Sequence, residues 1–254
     1  MLVDSHCHLD RLDLSPYGGT LDGVLEHAKL LGVMKFLSIS VDLNEYKSLV
    51  QIVEKYPQVW MSVGVHPCDV SQLPTVEQLL KHCEHPKVVA IGETGLDYYK
   101  APDISLQQES FRVHIQAAVK AGLPLIIHTR QAQEDTIRLL KEEGAERCKG
   151  VLHCFTESLE MAQQAIELGF YISLSGIITF KNAIELKEVA KAVPLERLLV
   201  ETDSPYLAPV PYRGKQNYPG YTRLVAEYLA ELRGISFEEV AEKTTENFNT
   251  LFCV

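Results

Sequence analysis

Nine histidines occur in the 254 residues, and five stand where a short apolar run gives way to polar chain: His6, His8, His66, His128 and His153. His6 and His8 are two apart, and in an extended chain residues i and i+2 project to the same side. Two imidazoles can then converge on one point, and imidazole is the commonest metal-ligating side chain. Taken alone, such a pair more often marks two ordinary polar residues at a strand end than a metal site. Glu93 and Asp203 close two further apolar runs, at 88–92 and 198–200. His6, His8, Glu93, His128, His153 and Asp203 brought together without cations would repel one another and lose hydration, at a cost to the fold.

Four imidazoles and two carboxylates exceed what one tetrahedral site with an open position needs. They suit two ions about 3.5–4 Å apart bridged by a carboxylate, as in hydrolytic two-metal sites. Glu93, which enters from the middle of the chain's strands, is the natural bridge. Mixed nitrogen and oxygen donors suit Zn, Mn, Fe or Co better than Mg. Arg130 lies two residues after His128 and shares its side if the chain stays extended, where its planar fork suits an anion. His66 has no metal partner visible in the sequence and suits a hydrogen bond to a phosphate oxygen.

Other residues carry weaker signals. Cys7 and Cys154 stand beside candidate ligands and are conceivable soft donors, although packing as reduced thiols is the simpler reading. The Pro-rich stretch 204–215, with Arg213 and Lys215, reads as a loop over the same mouth. His27, His82, His85 and His114 fall within or beside helical stretches and read as solvated or lightly packed.

The elements that must position these groups follow from periodicity. Strand-like runs end near 3 and occupy 35–40, 59–65, 88–92, 123–127, 150–152, 170–174 and 198–200. Helical runs occupy 21–31, 44–56, 76–83, 106–121, 134–143, 159–168, 183–192 and a final stretch from 221. Short apolar strands between helices imply a parallel sheet buried on both faces. Eight such units at this length predict a (β/α)8 TIM barrel, one domain over 1–254. Every candidate then lies at the C-terminal end of a strand, the face where barrel active sites sit.

Composition narrows the setting. No apolar run approaches the ~20 residues that cross a bilayer, and no leader-like charged and apolar stretch precedes Asp4. A cytoplasmic protein is expected, with no membrane contact and no obligate protein partner evident. Six cysteines without a Cys-x-x-Cys pair fit reduced thiols. The net charge of −10 argues against broad, non-specific coating of nucleic acid. It leaves room for a local site where bound cations supply positive charge.

The segments Ser5-His6-Cys7-His8-Leu9-Asp10, Gly64-Val65-His66-Pro67 and Gly92-Glu93-Thr94-Gly95-Leu96-Asp97-Tyr98 are joined by three more. These are Ile127-His128-Thr129-Arg130, Leu152-His153-Cys154-Phe155 and Glu201-Thr202-Asp203-Ser204-Pro205-Tyr206. Together they resemble the TatD family of metal-dependent deoxyribonucleases, within it the YcfH-type branch, among the amidohydrolase-like barrels. The resemblance runs as far as Asn247-Phe248. It implies that His6 and His8 bind one metal with Asp203, that Glu93 bridges, and that His128 and His153 hold the second. It also implies Mg, Mn or Zn as cofactor and phosphodiester hydrolysis, commonly 3′→5′ trimming of single-stranded DNA ends. Two departures bear on substrate rather than chemistry: Gln131 stands where an acid is frequent, and Asn217-Tyr218-Pro219 has Tyr where Glu is familiar.

The expected mechanism is in-line attack by a metal-bound hydroxide. Asp203 takes the proton of the water, Glu93 bridges, and His66 and Arg130 clamp the phosphate. A C–O or C–N hydrolase, such as an aminoacyl-tRNA deacylase or an amidase, fits the same ligand spacing. The complete donor set argues against a non-catalytic scaffold.

Overall fold

A computed structural model of the chain describes residues 1–100 and 103–254. Eight parallel strands run in chain order: β1 (Leu2–Cys7), β2 (Val33–Ser38), β3 (Val59–Val63), β4 (Val88–Asp97), β5 (Leu125–Arg130), β6 (Gly150–Leu152), β7 (Tyr171–Leu174) and β8 (Leu198–Val200). The chain after β8 returns to β1, where Asp203 N donates to His6 O at 2.9 Å and His8 N to Ser204 O at 2.8 Å. These contacts bring the sheet to a nearly closed barrel, as expected. Helices α1 (Leu21–Leu30), α2 (Tyr46–Lys55), α3 (Val76–His82), α4 (Ile104–Ala121), α5 (Gln133–Glu142), α6 (Leu159–Glu167) and α7 (Ile184–Ala192) connect the strands. Side-chain oxygens of Thr20, Asp103 and Ser158 accept backbone N–H groups at the starts of α1, α4 and α6, which satisfies donors that a helix end leaves free.

Several features differ from expectation: β1 and β5 run past their expected ends near Val3 and Ile127, to Cys7 and Arg130, and so include His6 and His128. The strand ending near Gly92 instead continues to Asp97, so Glu93 lies in the middle of β4. Thr94-Gly95 resembles a turn in sequence, but Gly95, at φ +131, lies against the His128 backbone where a Cβ would strike the carbonyl. Glycine there allows Gly95, Leu96 and Asp97 to pair with His128, Thr129 and Arg130 of β5.

The final helical stretch is two helices. α8 (Thr222–Arg233) stops at Gly234 in the left-handed region, and Ser236 starts α9 (Phe237–Phe252). Phe248, Leu251 and Phe252 of α9 join an inner cluster drawn from the strands, including Val3, Leu37, Val89, Ile126, Val151, Tyr171 and Leu199. Asn247 donates to Leu195 O and Leu198 O, and Thr245 to Met1 O. α9 therefore plugs the end of the barrel where the strands begin.

His114 is also placed differently, being fully buried on α4. Its Nδ1 donates to Ser110 O at 2.7 Å and its Nε2 accepts Val65 N at 3.0 Å. Burial pushes its pKa down to about 4. Phe111, His114, Ile115 and Ala118 follow the apolar helical period, a signal that places His114 on the buried face.

Strand register aims the site. A shift in the β1–β2 pairing lies between Asp4 and Cys7. Val3 belongs to the inner cluster and Cys7 to the outer one, so the inward face passes from odd to even residues and presents His6. In β5, Ile126, His128 and Arg130 share one inward row. Among the described residues, no helix is long and apolar enough to cross a membrane.

Candidate active site

The mouth opposite α9 holds a cavity of about 650 Å³ whose walls include His8, His66, Glu93, His128, His153 and Asp203. Glu93, 3% exposed, is its hub. Glu93 Oε1 lies 2.8 Å from His153 Nε2, 3.3 Å from His66 Nε2 and 3.3 Å from His128 Nδ1. Glu93 Oε2 faces the other way, 3.4 Å from His6 Nε2. Asp203 Oδ1 lies 3.3 Å from His8 Nε2 and 3.6 Å from His6 Nε2. The His6 ring stacks on His153 with centroids 3.8 Å apart and nearly parallel planes.

The donors fall into three overlapping groups: His6, His8 and Asp203; His6, Glu93 and His153; His66, Glu93 and His128. All six expected metal ligands therefore come together. His66, expected only at the phosphate, joins them at Glu93 Oε1 as well as lining the cavity.

The donor set fits divalent cations. His6 Nδ1 and Nε2, His8 Nδ1 and His153 Nε2 are buried without a hydrogen-bond partner among the described residues. His153 Nε2 is close to Glu93 yet not aligned as donor to acceptor, as expected of lone pairs aimed at a shared point. Charge balance points the same way. Burial and the neighbouring His153 push the pKa of His6 down. Burial opposes protonation of His8, His66, His128 and His153, but Asp203, Asp97, Glu93 and Glu201 raise all four. Burial would likewise raise Glu93, but the surrounding imidazoles hold it well below the usual carboxylate range. The carboxylates here draw positive charge into a buried space, a demand that divalent cations can meet without protons.

Two carboxylates unassigned from sequence stand behind the histidines. Asp97 Oδ2 contacts His128 Nε2 at 3.0 Å, while its Oδ1 accepts Tyr99 N and Lys100 N. Glu201, fully buried, contacts His153 Nδ1 at 3.3 Å and accepts Cys154 N at 2.8 Å. Each fixes the ring so that the opposite nitrogen faces Glu93. Asp97 was within reach of the sequence, since it lies four residues beyond Glu93 on the same side of an extended strand. Glu201 was not, because the chain turns at Asp203, φ +57, so that Glu201 reaches His153 while Asp203 reaches His6 and His8.

Asn217, beside Tyr218, braces that turn: its Nδ2 donates to Thr202 O at 2.8 Å and Tyr206 O at 2.7 Å. Arg130 lines the cavity, with its guanidinium carbon 3.9 Å from the Tyr99 ring centre. Arg213 and Lys215 are exposed and absent from the cavity wall, and Arg213 lies over Phe180. Cys7 Sγ turns into the core and donates to Leu37 O, while Cys154 Sγ lies 3.2 Å from Ser175 Oγ. Neither thiol joins a donor group.

A sequence model described as TatD related DNase matches residues 3–253. The "uncharacterized metal-dependent hydrolase YcfH" of Escherichia coli strain K12 is 50% identical over 252 residues, covering 99% of this chain and 95% of that one. The "3'-5' ssDNA/RNA exonuclease TatD" of Escherichia fergusonii is 34% identical over 250 residues, covering 95% and 96%. Among solved structures, the TatD homolog YJJV of Escherichia coli superposes with a TM-score of 0.91 at 30% identity, covering 100% of this chain and 98% of that one.

Proposed function

The chain belongs to the TatD family of metal-dependent hydrolases, and from that premise we propose that it hydrolyses phosphodiester bonds at the ends of single-stranded DNA. One observation carries the reading: the two oxygens of Glu93 face opposite ways, Oε2 towards His6 and Oε1 towards His66, His128 and His153. A carboxylate so divided suits a bridge between two cations, of which Mg, Mn and Zn are candidates. His6, His8 and Asp203 would hold the first with Glu93, and His128 and His153 the second. Such cations, when bound, would supply Lewis acidity to a phosphoryl oxygen and acidify water.

The chain's own groups do the rest. Asp203 reaches the cavity with its carboxylate and accepts the proton of the attacking water at an Oδ atom. His66 Nε2 and the Arg130 guanidinium donate to the non-bridging oxygens of the phosphate, which orients it for in-line attack. The apolar plug of α9 closes the far end, so substrate enters and product leaves by one mouth. The exonuclease named among the relatives supports a single-stranded substrate. A cytoplasmic location belongs to the same proposal, and all six thiols are free.

The test is hydrolysis of end-labelled single-stranded DNA by metal-stripped protein before and after adding Mn, Mg or Zn, with Asp203→Ala as control. Shortening of the strand that needs both metal and Asp203 is expected and reveals the polarity. Intact DNA from metal-loaded protein would overturn the nuclease reading and move attention to ester and amide substrates such as aminoacyl-tRNA.

A further inference from the structure

Resting on the nuclease reading, we propose that the rim of the mouth carries two platforms for unpaired nucleobases, Tyr206 and the Tyr99–Arg130 stack. Substrate choice there depends on base stacking rather than on charge. Both rings are unusually open for their size, Tyr206 at 49% and Tyr99 at 60% exposure. Tyr206 lines the cavity with its ring centre 6.0 Å from that of His8. Tyr99 stands behind Arg130, which itself lines the cavity.

Topology sets the two apart. Tyr206 follows β8 and neighbours β1, whereas Tyr99 follows β4 and neighbours β5. In a ring of eight strands in chain order, those positions are opposite one another. A phosphodiester at Glu93 would therefore have one platform on each side, reachable by the nucleosides that flank it.

Both platforms are held by groups that also brace the donor cluster. Tyr206 N donates to Asp203 O and Tyr206 O accepts Asn217 Nδ2. Tyr99 N donates to Asp97 Oδ1, the carboxylate behind His128. Their backbones are thus ordered before substrate arrives, which lowers the entropy lost on stacking. By contrast, Tyr17, Tyr212, Tyr218 and Tyr221 pack on one another.

Charge in the cavity wall, at Arg130 and Lys100, acts on phosphates that every strand carries and so does not select for bases. The chain carries −10, and Arg11 in the cavity wall is tied to Glu45 at 2.8 Å. Stacking on an aromatic face works for any base and is strengthened by an adjacent guanidinium. Bases inside a duplex are already covered on both faces and cannot use either ring.

The experiment measures binding of metal-loaded protein to an eight-nucleotide phosphorothioate DNA strand and to a sugar–phosphate strand of equal length without bases. Hydrolysis of the corresponding ordinary strands is followed in parallel. The wild type is expected to prefer the base-bearing strand about fivefold or more. Tyr206→Ala and Tyr99→Ala should each erode that preference, while Tyr206→Phe and Tyr99→Phe keep it. Equal affinity of the wild type for both strands, or a preference that survives both alanine substitutions, overturns the inference alone. A wild type that neither binds nor cleaves either strand overturns the nuclease reading and the inference with it.

Discussion

His153 is held between two carboxylates: its Nε2 lies 2.8 Å from Glu93 Oε1 and its Nδ1 lies 3.3 Å from Glu201 Oε1. The imidazole therefore cannot rotate without giving up its contacts to both acids in a buried space. Its tautomer follows from the same pairing, with Nδ1–H towards Glu201 and the Nε2 lone pair towards the shared site.

Glu201→Gln keeps the shape and removes the charge behind His153. Affinity for divalent metal is expected to fall about 10- to 100-fold, read by calorimetric titration of Zn into chelator-stripped protein. An unchanged binding constant would mean that Glu201 is merely packed.

Glu93→Gln should be far more damaging, because the two oxygens of Glu93 face the two halves of the cluster. We expect kcat/KM to fall on the order of 10³-fold or more, with metal content per chain reduced by elemental analysis. Circular dichroism should remain that of a folded barrel. Full metal content with full activity would remove Glu93 from the bridge.

Asn217→Ala leaves the carbonyls of Thr202 and Tyr206 without their shared donor. Unsatisfied buried polar groups cost about 1–3 kcal/mol, which for a chain of this size lowers the melting temperature by about 2–4 °C per kcal/mol. Turnover should fall too, since the same turn carries Asp203. Thermal melts and initial rates check both, and an unaltered melt would show that the bonds contribute little.

His114 makes stability depend on acid. Its folded pKa, pushed down to about 4, lies below the ordinary 6.5 of an unfolded histidine, so the unfolded chain binds the extra proton between those values. Stability from this group is whole above pH 6.5 and lost as pH falls towards 4, by about 3 kcal/mol at most. His114→Gln retains an acceptor for Val65 N without the titration. Its unfolding free energy should decline less steeply than the wild type's across that window in denaturant melts. Parallel slopes would show that the buried imidazole titrates normally.

Much of the architecture was legible in the chain because it rests on local periodicity. Alternating apolar strands and amphipathic helices specify a parallel barrel, and each expected metal ligand except Glu93 stands near the C-terminal end of a strand, where a barrel concentrates its chemistry. The spacing of His6 and His8 is local as well. So is the row that carries Ile126, His128 and Arg130.

Tertiary structure decided what depends on partners distant in the chain. Glu93 looked terminal because Gly95 imitates a turn, and only the approach of the β5 backbone explains why β4 continues past it. The register shift in β1 that presents His6 inward has no sequence period. Spacing along β4 points to Asp97, but the role of Glu201 arises from packing, and no spacing along the chain places it behind the His153 ring. Sequence determines which donors exist and at which end of the barrel they gather. Their pairing is decided by packing, because hydrogen bonds and charge act across distances in space.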